Sequence, residues 1–186
     1  FDSLKGYEQN RQKISKTVDI SADPRGIEQT HEHISQVIRD LEQDNHSTLL
    51  IGGGHDHAYP LIRAYSDLKK TVGCINIDAH FDLRKPNPLI TSGSPFYLAI
   101  EAGRLNPEHL IEFGIQKQSN NNEVRAYADQ KKIKTRWFDE LRDGRAVIEF
   151  QKELNALASK VDCLIMSVDL DAFSESYAPG VSAPQA

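Results

Sequence analysis

Residues 71–84 read TVGCINIDAHFDLR: an apolar, β-rich run that passes directly into Asp78, His80 and Asp82, three carboxylate or imidazole side chains at every second position. If the extended run continues through them, side chains two apart point the same way and the three converge on one side, a geometry suited to a cation. A polar strand end or loop entry would also carry such residues, and this stretch alone leaves both readings open.

Working outward, similar short runs recur at STLLIGG (47–53), HLIEFGI (109–115), IKTRWF (133–138) and DCLIMSVDLD (162–171). Between them, residues 24–44, 56–70, 121–132 and 143–160 carry apolar side chains at three and four spacing, the stripe of a helix packed on a sheet. Strands alternating with helices predict βαβ units, a parallel sheet and a layered α/β sandwich. KPNPLITSGSP (85–95) reads as a loop, and there is no internal repeat. With 186 residues and no evident linker, the chain is read as a single domain, residues 1–186. It opens without a strand and stops in PGVSAPQA, just past its last strand, so part of the domain is expected to lie outside it.

A net charge of −5, a pI near 5.8 and the lack of a basic patch interleaved with aromatics argue against nucleic acid as a partner. No run approaches the roughly 20 apolar residues that span a bilayer, and the first residues are too polar for a signal peptide. Cys74 and Cys163 sit in apolar segments without a CxxC pair, as buried thiols of a reducing compartment would. The expected setting is cytoplasmic, with no membrane partner. Asn45, His46 and Ser47 match the glycosylation pattern, which has no meaning there.

In open parallel sheets, ligand sites form beyond the carboxyl ends of the strands. Three of the expected strands end in potential metal ligands. Glycines 52 to 54 allow a sharp turn that delivers His55 to the start of a helix; the GxGxxG and Walker spacings that would make this a phosphate loop are absent. His57 would face elsewhere, as a supporting or surface residue. Asp78, His80 and Asp82 form the second group, and Asp169 and Asp171, expected to share one face of the last strand end, form the third. Two histidines and four aspartates suffice for two divalent ions if carboxylates bridge, and four negative charges packed together without a cation would repel severely. Oxygen-rich ligation with one histidine per ion favours Mn²⁺ over a structural zinc. Two such ions lower the pKa of a bridging water and position hydroxide for attack, which implies hydrolysis.

GGGHD (52–56), DAHFD (78–82) and SVDLDAF (167–173) resemble the three metal-binding motifs of the arginase/agmatinase ureohydrolase family. The resemblance implies a three-layer α/β/α sandwich around a central parallel sheet. It also implies two manganese ions per subunit: His55 and Asp82 on one, His80 and Asp171 on the other, Asp78 and Asp169 bridging. Asp82, Asp78 and Asp169 would be catalytic, Asp82 steadying the attacking hydroxide. Members form trimers or hexamers, so a homo-oligomer is implied.

Within the family, DAHFDLR, TSGSPF (91–96), FGIQKQSNN (113–121) and APGVSAP (178–184) most resemble the formimidoylglutamase branch, which hydrolyses N-formimidoyl-L-glutamate to L-glutamate and formamide in histidine degradation. Arginases and agmatinases typically carry a proton-shuttling histidine in the loop after DAHxD; none occurs here between Arg84 and Glu108, which argues against guanidine chemistry. A small linear amidine with two carboxylates is thus the implied substrate, with Arg84 placed to pair with a carboxylate and Ser92, Ser94, Asn120 and Asn121 as polar contacts. The family's acid that grips the substrate nitrogen falls beyond this chain. The rival readings are an agmatinase or guanidinobutyrase and a non-catalytic homologue that keeps the metals. His31, His33, His46 and His109 are expected on the solvated surface.

Overall fold

The structure is a computed structural model, described over residues 16–43 and 47–181; Asn45, His46 and the last residues of APGVSAP lie outside that range. Four parallel strands, β1 (Val72–Ile77), β2 (Leu110–Ile115), β3 (Lys134–Trp137) and β4 (Cys163–Val168), lie in the order β3-β2-β1-β4. Helices α1 (Ile27–Gln43), α2 (Ala58–Asp67), α3 (Pro95–Glu101), α4 (Asn122–Lys131) and α5 (Arg145–Ala158) complete the architecture.

Alternation along the strands sends successive side chains to opposite faces. Cys74, Leu110 and Ile165 pack with Ile38, Ile62, Phe96 and Val124 from α1 to α4, while Ile75, Ile111 and Leu164 pack with Leu154 and Leu157 of α5. Helices therefore cover both faces, giving the three-layer sandwich and parallel sheet that the sequence predicts. Ile62 and Phe96 are fully buried, and truncating either to alanine would remove about 2–5 kcal/mol.

The chain runs outward from β1 through β2 to β3, then returns to place β4 on the other side of β1. That reversal makes the carboxyl ends of β1 and β4 the topological switch point, where an open α/β sheet leaves a crevice for a ligand. Register holds the two ends level, with Ile77 beside Val168. Asp78 N–H donates to Phe113 O at 3.1 Å and Asp169 N–H to Ile77 O at 3.0 Å, so each acid starts from a fixed backbone.

Residues 47–53, expected as a strand, form none: Leu49 is 79% and Ile51 82% exposed, and no strand among the described residues pairs with them. Strand propensity is realised only through a paired, half-buried surface, which this segment lacks. Helix α3, which the sequence reading did not anticipate, begins where the 85–95 loop ends; Pro95 at its first turn and the following Phe96–Ile100 are the local signal. Among the described residues no helix is long and apolar enough to cross a membrane.

Candidate metal centre

Two left-handed glycines, Gly52 (φ 93°) and Gly53 (φ 78°), turn the chain into a short 3₁₀ helix, His55–His57, whose first residue points into the switch-point crevice. His55 Nδ1 lies 2.8 Å from Asp82 Oδ2, 3.1 Å from Asp78 Oδ2 and 3.4 Å from Asp169 Oδ2. Its other nitrogen, Nε2, is 2.7 Å from Ser167 Oγ, and its ring stands edge-on to Phe96, so the imidazole is fixed in orientation. Beside this group, His80 Nδ1 lies 2.9 Å from Asp171 Oδ2 and 3.6 Å from Asp78 Oδ1. Asp78 thus turns one oxygen to each histidine and belongs to both groups, while Asp169 gathers with the His55 group.

The convergence is not produced by strand alternation. β1 ends at Ile77, residues 78–80 bend, and Asp82 reaches His55 through a left-handed backbone (φ 48°). Asp169 and Asp171 likewise do not share a strand face: β4 ends at Val168, Asp169 caps a 3₁₀ turn by accepting from Asp171 N–H at 2.9 Å, and the two carboxylates serve different histidines. Tight turns after each strand aim the acids where an extended chain would not.

Electrostatically the cluster calls for positive charge. Burial would lower the His55 pKa, but hydrogen bonds to Asp78 and Asp82 raise it to about 10. Hydrogen bonds to Asp171 and Asp78 raise His80 to about 10 as well. Burial pushes Asp82 up to about 6, with the Asp78 charge adding to it, and Asp171 is raised mainly by burial. Asp78 is buried too, yet its bonds to both histidines hold it below the usual carboxylate range. Without a cation, the imidazoles must keep protons to offset the carboxylates. Asp171 Oδ1 is buried without a hydrogen-bond partner. Two adjoining oxygen-rich groups, each with one imidazole and sharing one carboxylate, fit a binuclear metal site.

Below Asp78, Asn76 donates through Nδ2 to Glu112 Oε2 at 2.9 Å and faces Asp78 Oδ2 at 3.3 Å. Glu112 is fully buried, and burial, with the Asp78 and Asp82 charges nearby, raises its pKa well above the ordinary glutamate value. Asn76, Glu112 and Ser167 escaped the sequence reading, although an acid inside the apolar run LIEFGI and a serine two residues before Asp169 were available signals.

A cavity of about 280 Å³ opens beside the cluster, lined by His80, Asp82, Arg84, Ser119, Asn120, Asn121 and Val124. It adjoins a larger one of about 560 Å³ that shares Arg84, Asn121 and Val124 and adds Lys85, Tyr97 and Tyr127. The exposed Arg84 donates its backbone N–H to Gly93 O at 2.8 Å, and its guanidinium lies over Gly93, where a Cβ would stand 2.8 Å from Cζ. Asn120 is buried and ties two loops together, accepting from Phe81 N–H at 3.0 Å and donating to Ala79 O and Gln116 O. Asn121 caps α4 through Val124 N–H. Ser94 is buried against Thr91, and the exposed Ser92 lies outside both cavities, beside Gly54. His33 is exposed and His109 half-buried, but His31, expected on the surface, is only 2% exposed: it lies on the inner stripe of α1 with Ile34 and Ile38 and meets Asp56.

The profile of the Arginase family matches residues 2–186, and the chain belongs to that family. Among similar curated proteins, the formimidoylglutamase of Hahella chejuensis is 36% identical over 155 residues, covering 77% of this chain and 47% of its own length. The crystal structure of formimidoylglutamase from Bacillus subtilis superposes with a TM-score of 0.84 at 30% identity, over 90% of this chain and 53% of that one. The Trypanosoma cruzi formiminoglutamase crystallised with Mn²⁺ gives a TM-score of 0.81 at 27% identity, over 90% and 56%. The chain spans about half the length of the curated relatives it matches.

Proposed function

We propose that this chain carries the metal-binding part of a manganese-dependent hydrolase of linear amidines, acting on N-formimidoyl-L-glutamate to release L-glutamate and formamide. The observation that carries this reading is the pair of ligand groups joined by Asp78 at the switch point, beside a cavity lined by His80, Asp82 and Arg84. Likeness to formimidoylglutamases supports the choice of substrate. In this reading His55 and Asp82 would hold one ion and His80 and Asp171 the other, with Asp78, which belongs to both groups, shared between them and Asp169 reaching in from the His55 side. Manganese, when bound, acidifies water and so supplies a nucleophile at neutral pH.

The residues of the chain do the rest. Ser167 and Phe96 hold the His55 ring so that Nδ1 faces the carboxylates, an outer support of the kind that fixes metal-ligating imidazoles. Asn120 locks the loop bearing His80 and Phe81 against the end of β2. Asp82 belongs to the His55 group and also lines the cavity, so its carboxylate would be placed to steady a nucleophile formed there. Arg84 offers a planar fork to a substrate carboxylate, which agmatine lacks.

The test is a turnover assay of the purified full-length protein, loaded with Mn²⁺, on formimidoyl-glutamate, arginine, agmatine and guanidinobutyrate. Formimidoyl-glutamate should be hydrolysed fastest and activity should vanish with chelator. Faster turnover of agmatine would overturn the substrate, and no turnover of any of the four would overturn the enzymatic reading.

A further inference from the structure

A second cluster of ligand-type side chains lies on the far side of the glycine turn, facing α1 rather than the crevice: His31, Asp56 and His57, with one donor atom from each within 4.8 Å of the others. We propose that it is a separate site for a first-row divalent ion of the zinc kind, tying α1 to the turn that delivers His55. This does not depend on the function proposed above.

The geometry of His57 points to the ion. Its Nδ1 lies 3.3 Å from Gly52 O, and a carbonyl only accepts, so Nδ1 carries the proton. In the tautomer that donates to that carbonyl, Nε2 offers its lone pair, and it faces Asp56 Oδ2 at 3.8 Å, too far for a hydrogen bond. An imidazole that donates one N–H to a backbone carbonyl and turns its other nitrogen to a carboxylate is arranged as metal-ligating histidines are. The placement is built in: the ring lies so close over Gly53 that a Cβ there would stand 2.1 Å from His57 Cε1.

The remaining donors complete the set. His31 Nε2 is 2.7 Å from the same Asp56 Oδ2, and both residues are buried. The His31 and His57 rings stand nearly perpendicular, with centroids 5.9 Å apart, so the two imidazoles approach from different directions. A tetrahedral shell with bonds near 2.0–2.1 Å separates its donors by about 3.3 Å. The two separations from Asp56 Oδ2, 2.7 and 3.8 Å, straddle that value, so a shift of about half an ångström in each histidine would bring both nitrogens to it. Two imidazoles and one carboxylate suit zinc and its neighbours better than manganese. His57, 22% exposed, leaves a side from which water can complete the coordination. A buried histidine–aspartate bond on its own would need only His31 and Asp56 and would leave the aim of His57 unexplained.

The test is equilibrium dialysis of the full-length protein against Co²⁺, counting bound equivalents and recording the visible bands of low-coordinate cobalt. His57→Gln should lose one equivalent, with those bands weakened at least about tenfold, while Asp78→Asn keeps that equivalent. His31→Gln should match His57→Gln; because His31 is buried and its replacement disturbs the core, the more exposed His57 carries the test, with circular dichroism to verify folding. The same number of cobalt ions and the same spectrum in folded His57→Gln as in the wild type would overturn the proposal. So would loss of the His57-dependent equivalent in Asp78→Asn.

Discussion

Gly93 gives the sharpest handle on the proposed substrate contact, because it acts on Arg84 without removing it. A Cβ at residue 93 would stand 2.8 Å from Arg84 Cζ and Nε and 3.1 Å from Cδ. Ordinary carbon contacts are about 3.5–4.0 Å, so in Gly93→Ala the guanidinium must move by about 1 Å. The backbone cannot take up the shift easily, since Arg84 N–H is held on Gly93 O at 2.8 Å. The arginine end is exposed and free to give way, and Gly93 lies outside the left-handed region, so alanine suits the backbone and reduces the freedom of the unfolded chain. Stability should therefore hold or rise by up to about 1 kcal/mol. Binding should suffer: a charge-assisted hydrogen bond is worth about 1.5–3 kcal/mol, so KM for formimidoyl-glutamate should rise about 10- to 100-fold, with manganese content unchanged. Arg84→Ala should show a loss of the same size, and Arg84→Lys should recover only part of it, because an ammonium lacks the planar fork. The assay is steady-state kinetics beside thermal melting and elemental analysis. A Gly93→Ala enzyme with wild-type KM and unchanged melting would refute the role of Arg84.

Asp78→Ala should cut bound manganese further than Asp169→Ala, because Asp78 faces both histidines and Asp169 only His55; elemental analysis showing two tightly held ions in Asp78→Ala would remove the bridging assignment. In chelator-treated protein, His55 and His80 have pKa values raised to about 10, so their stabilising contribution is full below the unfolded value near 6.5 and is lost as pH climbs through 10. Melting temperature should fall across that window, while the increment produced by added Mn²⁺ grows, since the ion displaces those protons; an increment independent of pH would contradict this. Buried Glu153 accepts from Lys134 Nζ at 2.7 Å and Arg136 Nε at 3.0 Å, which hold its pKa below the ordinary glutamate value against burial. Glu153→Gln should destabilise by about 1–3 kcal/mol, a buried-pair loss discounted for the exposed lysine, and the wild-type advantage should be present above the ordinary glutamate pKa and vanish as pH falls through the lowered one.

Much of the fold was legible because buried elements announce themselves. The runs containing Cys74, Leu110 and Ile165 are apolar because helices cover both faces of the sheet, and the three-four stripe of α1 is visible in Ile34 and Ile38. Residues 47–53 misled for the opposite reason: their composition suits a strand, but a strand exists only beside a partner, and pairing is a property of the whole fold. Helix α3 was hidden because its 7 residues are too few to show a period.

The site was legible in its residue types and illegible in its geometry. Alternation along an extended chain correctly drew attention to Asp78, His80 and Asp82, yet the backbone leaves the strand before the first of them, and Asp82 arrives through a conformation rare for any residue but glycine. Such a conformation costs about 1–3 kcal/mol and persists where its surroundings over-determine it. Here they do: Asp82 O accepts from Phe96 N–H, Phe81 N–H is held by Asn120, and Arg84 N–H is held by Gly93 O. A sequence pattern records which donors are present, whereas their convergence depends on loops from α3 and β2 gripping the backbone on either side. His31 makes the same point in reverse. Read alone it is one of several polar histidines on a charged helix; its burial follows from the face of α1 that Ile34 and Ile38 force inward, and only then do Asp56 and His57 come within reach of it.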